Sequence, residues 1–179
     1  NPEIFNRDGL AARVLKLHGS INWCELGSDP LPRRIGTGLA LVKMDERRIL
    51  IWPASTKYRE TQLDPYAQLM NQARRVIRPV RGSQRVLIVC GYAFGDTHIN
   101  IEIERALRDS VGDLTVVAFT SDDEPTGRLR KWVNDETLRD QVLVFAKRGF
   151  FHGTISSSSA TELPWWKFEN VARLLGGER

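Results

Sequence analysis

Val86-Leu87-Ile88-Val89-Cys90-Gly91-Tyr92-Ala93-Phe94-Gly95-Asp96-Thr97-His98-Ile99-Asn100 is the stretch whose reading decides the fold. Val86 to Cys90 is uncharged, rich in β-branched residues and bounded by polar neighbours. That pattern predicts a central parallel strand covered on both faces. At Gly91 the run breaks into a polar loop, and Thr97 to Asp109 then reads as a helix with Asp96 or Thr97 as its cap. A strand that turns at glycine into a loop and a helix is the unit that places nucleotides at the edge of open α/β sheets.

Downstream, the alternation continues. Leu114 to Phe119 predicts the next buried strand, Glu124 to Leu138 a helix with a weak apolar stripe, and Val142 to Phe145 a last strand. Thr154 to Thr161 reads as a serine-rich linker, and Pro164 to Leu175 as a closing amphipathic helix. Upstream, Leu63, Tyr66, Leu69, Met70, Ala73, Val76 and Ile77 recur at helical spacing, and Arg78-Pro79 stops that helix. Ile49-Leu50-Ile51-Trp52 predicts a strand halted by Pro53. Asn22 to Met44 is rich in glycine and proline and reads as a surface excursion, with a short strand at Leu39 to Val42. Val14 to Leu17 predicts a first strand after a polar tail. Strands alternating with helices imply βαβ units. The expected fold is therefore α/β, a Rossmann-like, open, mostly parallel sheet with flanking helices. The expected division is a main domain over residues 1–153 followed by linker and closing helix over 154–179.

A chain of 179 residues, 41% hydrophobic and 27% charged, has the composition of a folded domain with its own core. No apolar run is long enough for a membrane helix, so no membrane partner is expected. The chain opens on Asn1-Pro2 and not on methionine. That reads as a fragment with motifs upstream of Asn1. The two cysteines, Cys24 and Cys90, cannot supply a four-ligand zinc site. Cys90, at the end of its strand, reads as a small buried hydrophobe, and the composition reads as intracellular. The net charge of +4 comes from 26 basic residues, mostly arginine, against 22 acidic ones. Arginine favours phosphate, carboxylate and interface contacts. The excess suits an anionic dinucleotide, an acidic partner protein or a high-pI domain with no charged partner at all. It does not by itself make a nucleic-acid binder.

The expected strand ends bring together His18-Gly19-Ser20, the loop Gly91 to His98, Thr120-Ser121-Asp122-Asp123 and the stretch Phe150 to Gly153. His18, read as following a strand and preceding a glycine, is of the residue type that serves as a general base. On the residues alone, a hydrogen-bonded core histidine is the favoured reading. Gly91 turns the chain so that the amides of Tyr92 and Ala93 face a phosphate or ribose. Asp96 suits a ribose contact and a helix cap equally well. His98 and Asn100, in the first helical turn, face either the site or solvent. An acidic residue after Thr120-Ser121 can hold ribose hydroxyls or begin the next helix. Trp165-Trp166 reads as a packing anchor or a subunit contact in preference to a stacking platform.

Lys16-Leu17-His18-Gly19-Ser20-Ile21-Asn22-Trp23, then Ile51-Trp52-Pro53, then Val89 to Asn100 resembles the prokaryotic sirtuin-like domains over roughly residues 14–153. Many of those domains are NAD+-consuming effectors of anti-phage defence. The resemblance implies His18 as the catalytic histidine. It implies Gly91, Tyr92 and Ala93 as contacts of the nicotinamide-side phosphate and ribose, and Thr120 and Ser121 as contacts of the adenosine ribose. Asp96 and His98 complete the expected cofactor-binding set. The first glycine-rich loop and the catalytic asparagine of the family would lie upstream of Asn1.

The deacylase branch carries zinc cysteines that this chain lacks. Pro53 also interrupts the strand that pairs with acyl-lysine peptide in that branch. The expected activity is therefore hydrolysis of NAD+ to nicotinamide and ADP-ribose, with NAD+ as substrate and no zinc. The alternatives are an NAD-dependent protein deacylase and a non-catalytic module that senses NAD or ADP-ribose or docks a partner. The resemblance further implies a cytoplasmic homo-oligomer and a partner defence protein, an ATPase or a nucleic-acid-guided sensor.

Overall fold

The computed structural model describes residues 7–10, 12–26, 29–34, 46–50 and 64–177. The chain divides into two compact units, Asn1–Ala73 and Arg74–Arg179. The strand expected at Leu39 to Val42 lies outside the described residues, as does the Ile51-Trp52-Pro53 segment.

In the first unit, β1 (Gly19–Leu26) is the centre of a three-stranded antiparallel sheet, between β2 (Asp29–Arg34) and β3 (Glu46–Leu50). Two expectations change here. Val14 to Leu17 is not a strand, and Val14 is 78% exposed. An apolar run of that length gains nothing from extension without a pairing partner, and pairing begins at Gly19. The segment from Asn22 onward is no plain excursion either, because it builds β1 and β2. Trp23 of β1 packs on Tyr66, at the start of helix α1 (Tyr66–Ile77), which the helical apolar spacing predicted.

The second unit holds a five-stranded mixed sheet in the order β4 (Arg85–Cys90), β5 (Leu114–Phe119), β6 (Val142–Ala146), β7 (Gly149–His152), β8 (Ile155–Ser158). It is parallel from β4 through β6 and antiparallel beyond. Helices α2 (Thr97–Ser110), α3 (Gly127–Asn134) and α4 (Phe168–Gly176) accompany it. This is an α/β, Rossmann-like arrangement. Because β4, β5 and β6 are neighbours in chain order, right-handed crossovers place α2 and α3 on one face. Their apolar sides meet Val89, Leu114, Val116, Ala118, Val142 and Val144 there, with Leu107 and Trp132 fully enclosed.

The opposite face carries an aromatic cluster. Phe119 stacks on Phe145 at 5.1 Å, and Trp165 meets Phe145 edge-on at 5.1 Å. The Trp165 indole donates to the Ala146 carbonyl. The 3-10 turn Pro164–Trp166 is thereby pinned beside β6, and the closing helix appears as expected.

Two further expectations are corrected. Among the described residues β4 is an edge strand of this sheet, not a central one, with Val86 58% and Ile88 39% exposed. An apolar run satisfies one covered face as well as two, so composition does not rank strands within a sheet. The supposed linker contains β8, which pairs with β7 across the Gly153-Thr154 turn. Gly153 adopts φ +57 there, a left-handed value suited to a tight hairpin.

Candidate functional site

Parallel strands present their carboxyl ends on one edge, where ligands of open α/β sheets collect. In the second unit a cavity of about 710 Å³ opens at that edge. One wall is Cys90 to Phe94, the loop leaving β4. A second is Phe119 to Asp122, the loop leaving β5, which continues into Thr126, Gly127, Arg128 and Leu129 at the start of α3. A third comes from Trp166, Lys167, Phe168 and Glu169, where the 3-10 turn enters α4. This volume lies within the range of small-molecule and cofactor sites.

The first wall is shaped by its backbone. Gly91 has φ +70, and a Cβ there would meet nothing within 4 Å. Conformation, not space, therefore favours glycine at this point. Phe94 also lies in the left-handed region, at φ +54. A bulky residue takes up that conformation only when its surroundings enforce it. The Phe94 ring packs at 4.8 Å on Tyr92 and at 5.6 Å, edge-on, on Trp132. Asn100 supplies the polar restraint. Its Nδ2 donates to the Phe94 carbonyl at 2.7 Å, and its Oδ1 accepts from the Tyr92 hydroxyl at 3.0 Å. The Tyr92 hydroxyl also donates to the Asp96 carbonyl at 3.1 Å. Burial, followed by the nearby Asp96 charge, pushes the Tyr92 pKa up to about 12. Tyr92 is thus neutral at physiological pH and serves as a donor, not a base.

The second wall is polar. The Asp122 amide donates to Thr120 Oγ1 at 3.2 Å, and the Asp122 carboxylate accepts from the Thr126 hydroxyl at 2.6 Å. Thr126 is the N-cap of α3, yet its side chain makes no capping bond because it turns to Asp122. The first-turn amides of α3 therefore lack a side-chain cap. Behind them, Glu104 of α2 accepts from the Trp132 indole at 3.0 Å and from Arg128 at 3.2 Å. It also pairs with Arg108 at 3.0 Å. The Trp132 hydrogen bond, and then Arg108 and Arg128, hold the Glu104 carboxyl below its ordinary pKa.

Five of the expected contact residues, Gly91, Tyr92, Ala93, Thr120 and Ser121, line this one cavity. Asp96 and His98 are not among its lining residues. Asp96 occupies the N-cap position of α2, where its carbonyl accepts from the Asn100 amide at 3.0 Å, and His98 is buried in the first turn. Asn100 is a loop brace behind the cavity wall. His18 belongs to the first unit. It sits in a turn closed by the Gly19 amide, which donates to the Lys16 carbonyl at 3.0 Å, so it precedes a strand and does not end one. Gly19 has φ +81, as such a turn requires. Beside it, Lys16 Nζ donates to Ser20 Oγ at 2.8 Å, and the Ser20 hydroxyl donates to Asn22 Oδ1 at 2.7 Å.

Sequence reasoning missed Arg128 and the aromatic wall. With the helix read as starting at Glu124, Arg128 falls beyond its first turn. The structure starts α3 at Gly127, which puts Arg128 at the sheet edge. The tryptophan pair divides its work: Trp165 anchors as expected, and Trp166 lines the cavity. A scan against family models finds no match for this chain, and a search of the curated proteins finds none similar to it.

Proposed function

We propose that this chain is part of an NAD+ hydrolase that releases nicotinamide and ADP-ribose, acting as a defence effector of the sirtuin-like kind. The observation that carries the reading is the convergence of Gly91, Tyr92, Ala93, Thr120 and Ser121 on one cavity at the carboxyl ends of β4 and β5. Hydroxyls and a carboxylate from the β5 loop suit ribose. Uncapped helix amides and a guanidinium suit phosphate. Aromatic faces suit a base. The nicotinamide of NAD+ is a cationic leaving group and needs no general acid. The protein has to orient the ribose and stabilise oxocarbenium character at its anomeric carbon. We assign to His18, on the resemblance of the Lys16 to Trp23 string, the proton acceptor for a ribose hydroxyl or the attacking water. Such base catalysis is typically worth ~10²–10⁴-fold.

The test is nicotinamide release from NAD+ by the full-length protein, with and without an acylated peptide. Peptide-independent release that His18→Ala abolishes supports the reading. Release only with peptide indicates a deacylase. Binding of ADP-ribose without any release indicates a sensing module.

A further inference from the structure

We propose that Arg128 is the residue that grips the 5′-phosphate of the nucleotide in this cavity, and that Glu104 is its positioning residue. The inference rests on the reading of the cavity as a nucleotide site and goes beyond it by naming what discriminates a nucleotide from a nucleoside there.

Three observations converge on Arg128. It lines the cavity from the first turn of α3, beside the loop leaving β5. The loop leaving β4, with Tyr92, lines the same cavity, and among the described residues no other arginine does. A single terminal nitrogen, Nη1, makes its bond to Glu104 at 3.2 Å. A guanidinium carries five N–H donors in a planar fork, so one edge can rest on the carboxylate while another receives an oxyanion.

Glu104 is built to hold that edge. Its carboxylate is fixed by the Trp132 indole at 3.0 Å, and Trp132 is 1% exposed in the core. Arg108 and Arg128 flank it. The carboxylate is kept ionised, so it orients Arg128 across the physiological pH range. The pair also resolves a charge problem. Asp122 and Glu169 place carboxylates on the same cavity, and an anionic ligand there needs the cations that line it, of which, among the described residues, Arg128 is the one held by a carboxylate behind it. Thr126 turned towards Asp122 leaves the α3 amides to add to the same anion pocket. The ribose then lies towards Thr120 and Asp122 and the phosphate towards Arg128. This order favours a 5′-phosphate over a 2′-phosphate.

The experiment is calorimetric titration of the full-length protein with adenosine, 5′-AMP, 2′-AMP and ADP-ribose. The wild type is compared with Arg128→Gln, Arg128→Met and Glu104→Gln. The wild type should bind 5′-AMP roughly tenfold or more tightly than adenosine, and 2′-AMP no better than adenosine. Arg128→Gln should erase the 5′-AMP preference and leave adenosine affinity unchanged. Arg128→Met serves the same purpose if the glutamine variant fails to fold, since it retains the apolar stem. Glu104→Gln should keep the Trp132 bond and give a smaller loss confined to the phosphorylated ligands, which a merely structural role would not produce. A 5′-AMP preference that persists in a folded Arg128 variant overturns the assignment, as does a preference for 2′-AMP. If the wild type binds neither 5′-AMP nor ADP-ribose, the nucleotide reading of the cavity fails as well. Failure confined to the variants leaves that reading standing.

Discussion

The Asn100 side-chain amide donates to the Phe94 carbonyl across 2.7 Å, and with that bond a helix residue sets the conformation of the loop leaving the preceding strand. The same side chain accepts from Tyr92, so both ends of its amide are spent on one cavity wall. Asn100 is 2% exposed, and no water substitutes readily at such a position. Asn100→Ala should therefore cost ~1–3 kcal/mol of stability, the usual penalty for stranding buried polar partners. It should also raise amide exchange over residues 91–95, where Phe94 holds its left-handed backbone. Urea unfolding and hydrogen exchange check the two effects. Unchanged exchange in that loop would show that ring packing alone holds Phe94.

Asp135 predicts acid sensitivity outside the cavity. Its carboxylate accepts from the Thr137 hydroxyl at 2.6 Å, the Thr137 amide at 2.9 Å and Arg108 at 2.7 Å. Led by the Thr137 hydroxyl, these partners lower its pKa from 3.8 to about 2. A depressed carboxylate contributes stability that is complete above its unfolded pKa and fades as pH falls through the folded one. The difference in stability between wild type and Asp135→Asn should thus stay constant above about pH 5 and shrink between about pH 4 and pH 2. Chemical denaturation across that range reads it. A difference that grows with acid would contradict the assignment.

Gly149 predicts a steric limit in the β7–β8 hairpin. A Cβ at this position would lie 2.8 Å from the Ser157 carbonyl oxygen and 3.0 Å from the Phe151 ring. The first obstacle is backbone and cannot rotate away. Gly149→Ala should destabilise the second unit by ~1–3 kcal/mol, the cost typical of overpacking. The melting temperature gives the check, and a neutral result would mean that β8 shifts freely.

The readable parts of this chain were those whose signal is local. The Asp96-Thr97 cap after the glycine break marks α2, and the Leu114 to Phe119 run marks β5, because each signal is carried by adjacent residues. Position within the sheet is not local. Val86 and Ile88 look as buried as Val116 until the strand order puts β4 at an edge. β8 is legible only through β7, since Ile155 to Ser158 is exposed throughout and is extended by backbone pairing alone. Within the site, Gly91 and Thr120-Ser121 were legible because they follow apolar strands. Arg128 was hidden by an error of three residues in where its helix begins, and Trp166 by a segment distant in sequence that returns to the same edge.

Cys90 stands on the cavity wall at the end of β4 and is only partly buried, whereas Cys24 of β1 is wholly enclosed. Nature has thus installed a chemical reporter at the spot where a ligand would sit. An alkylating reagent competes with any occupant for access to that sulfur, so the speed of labelling reads occupancy in molecules that turn nothing over.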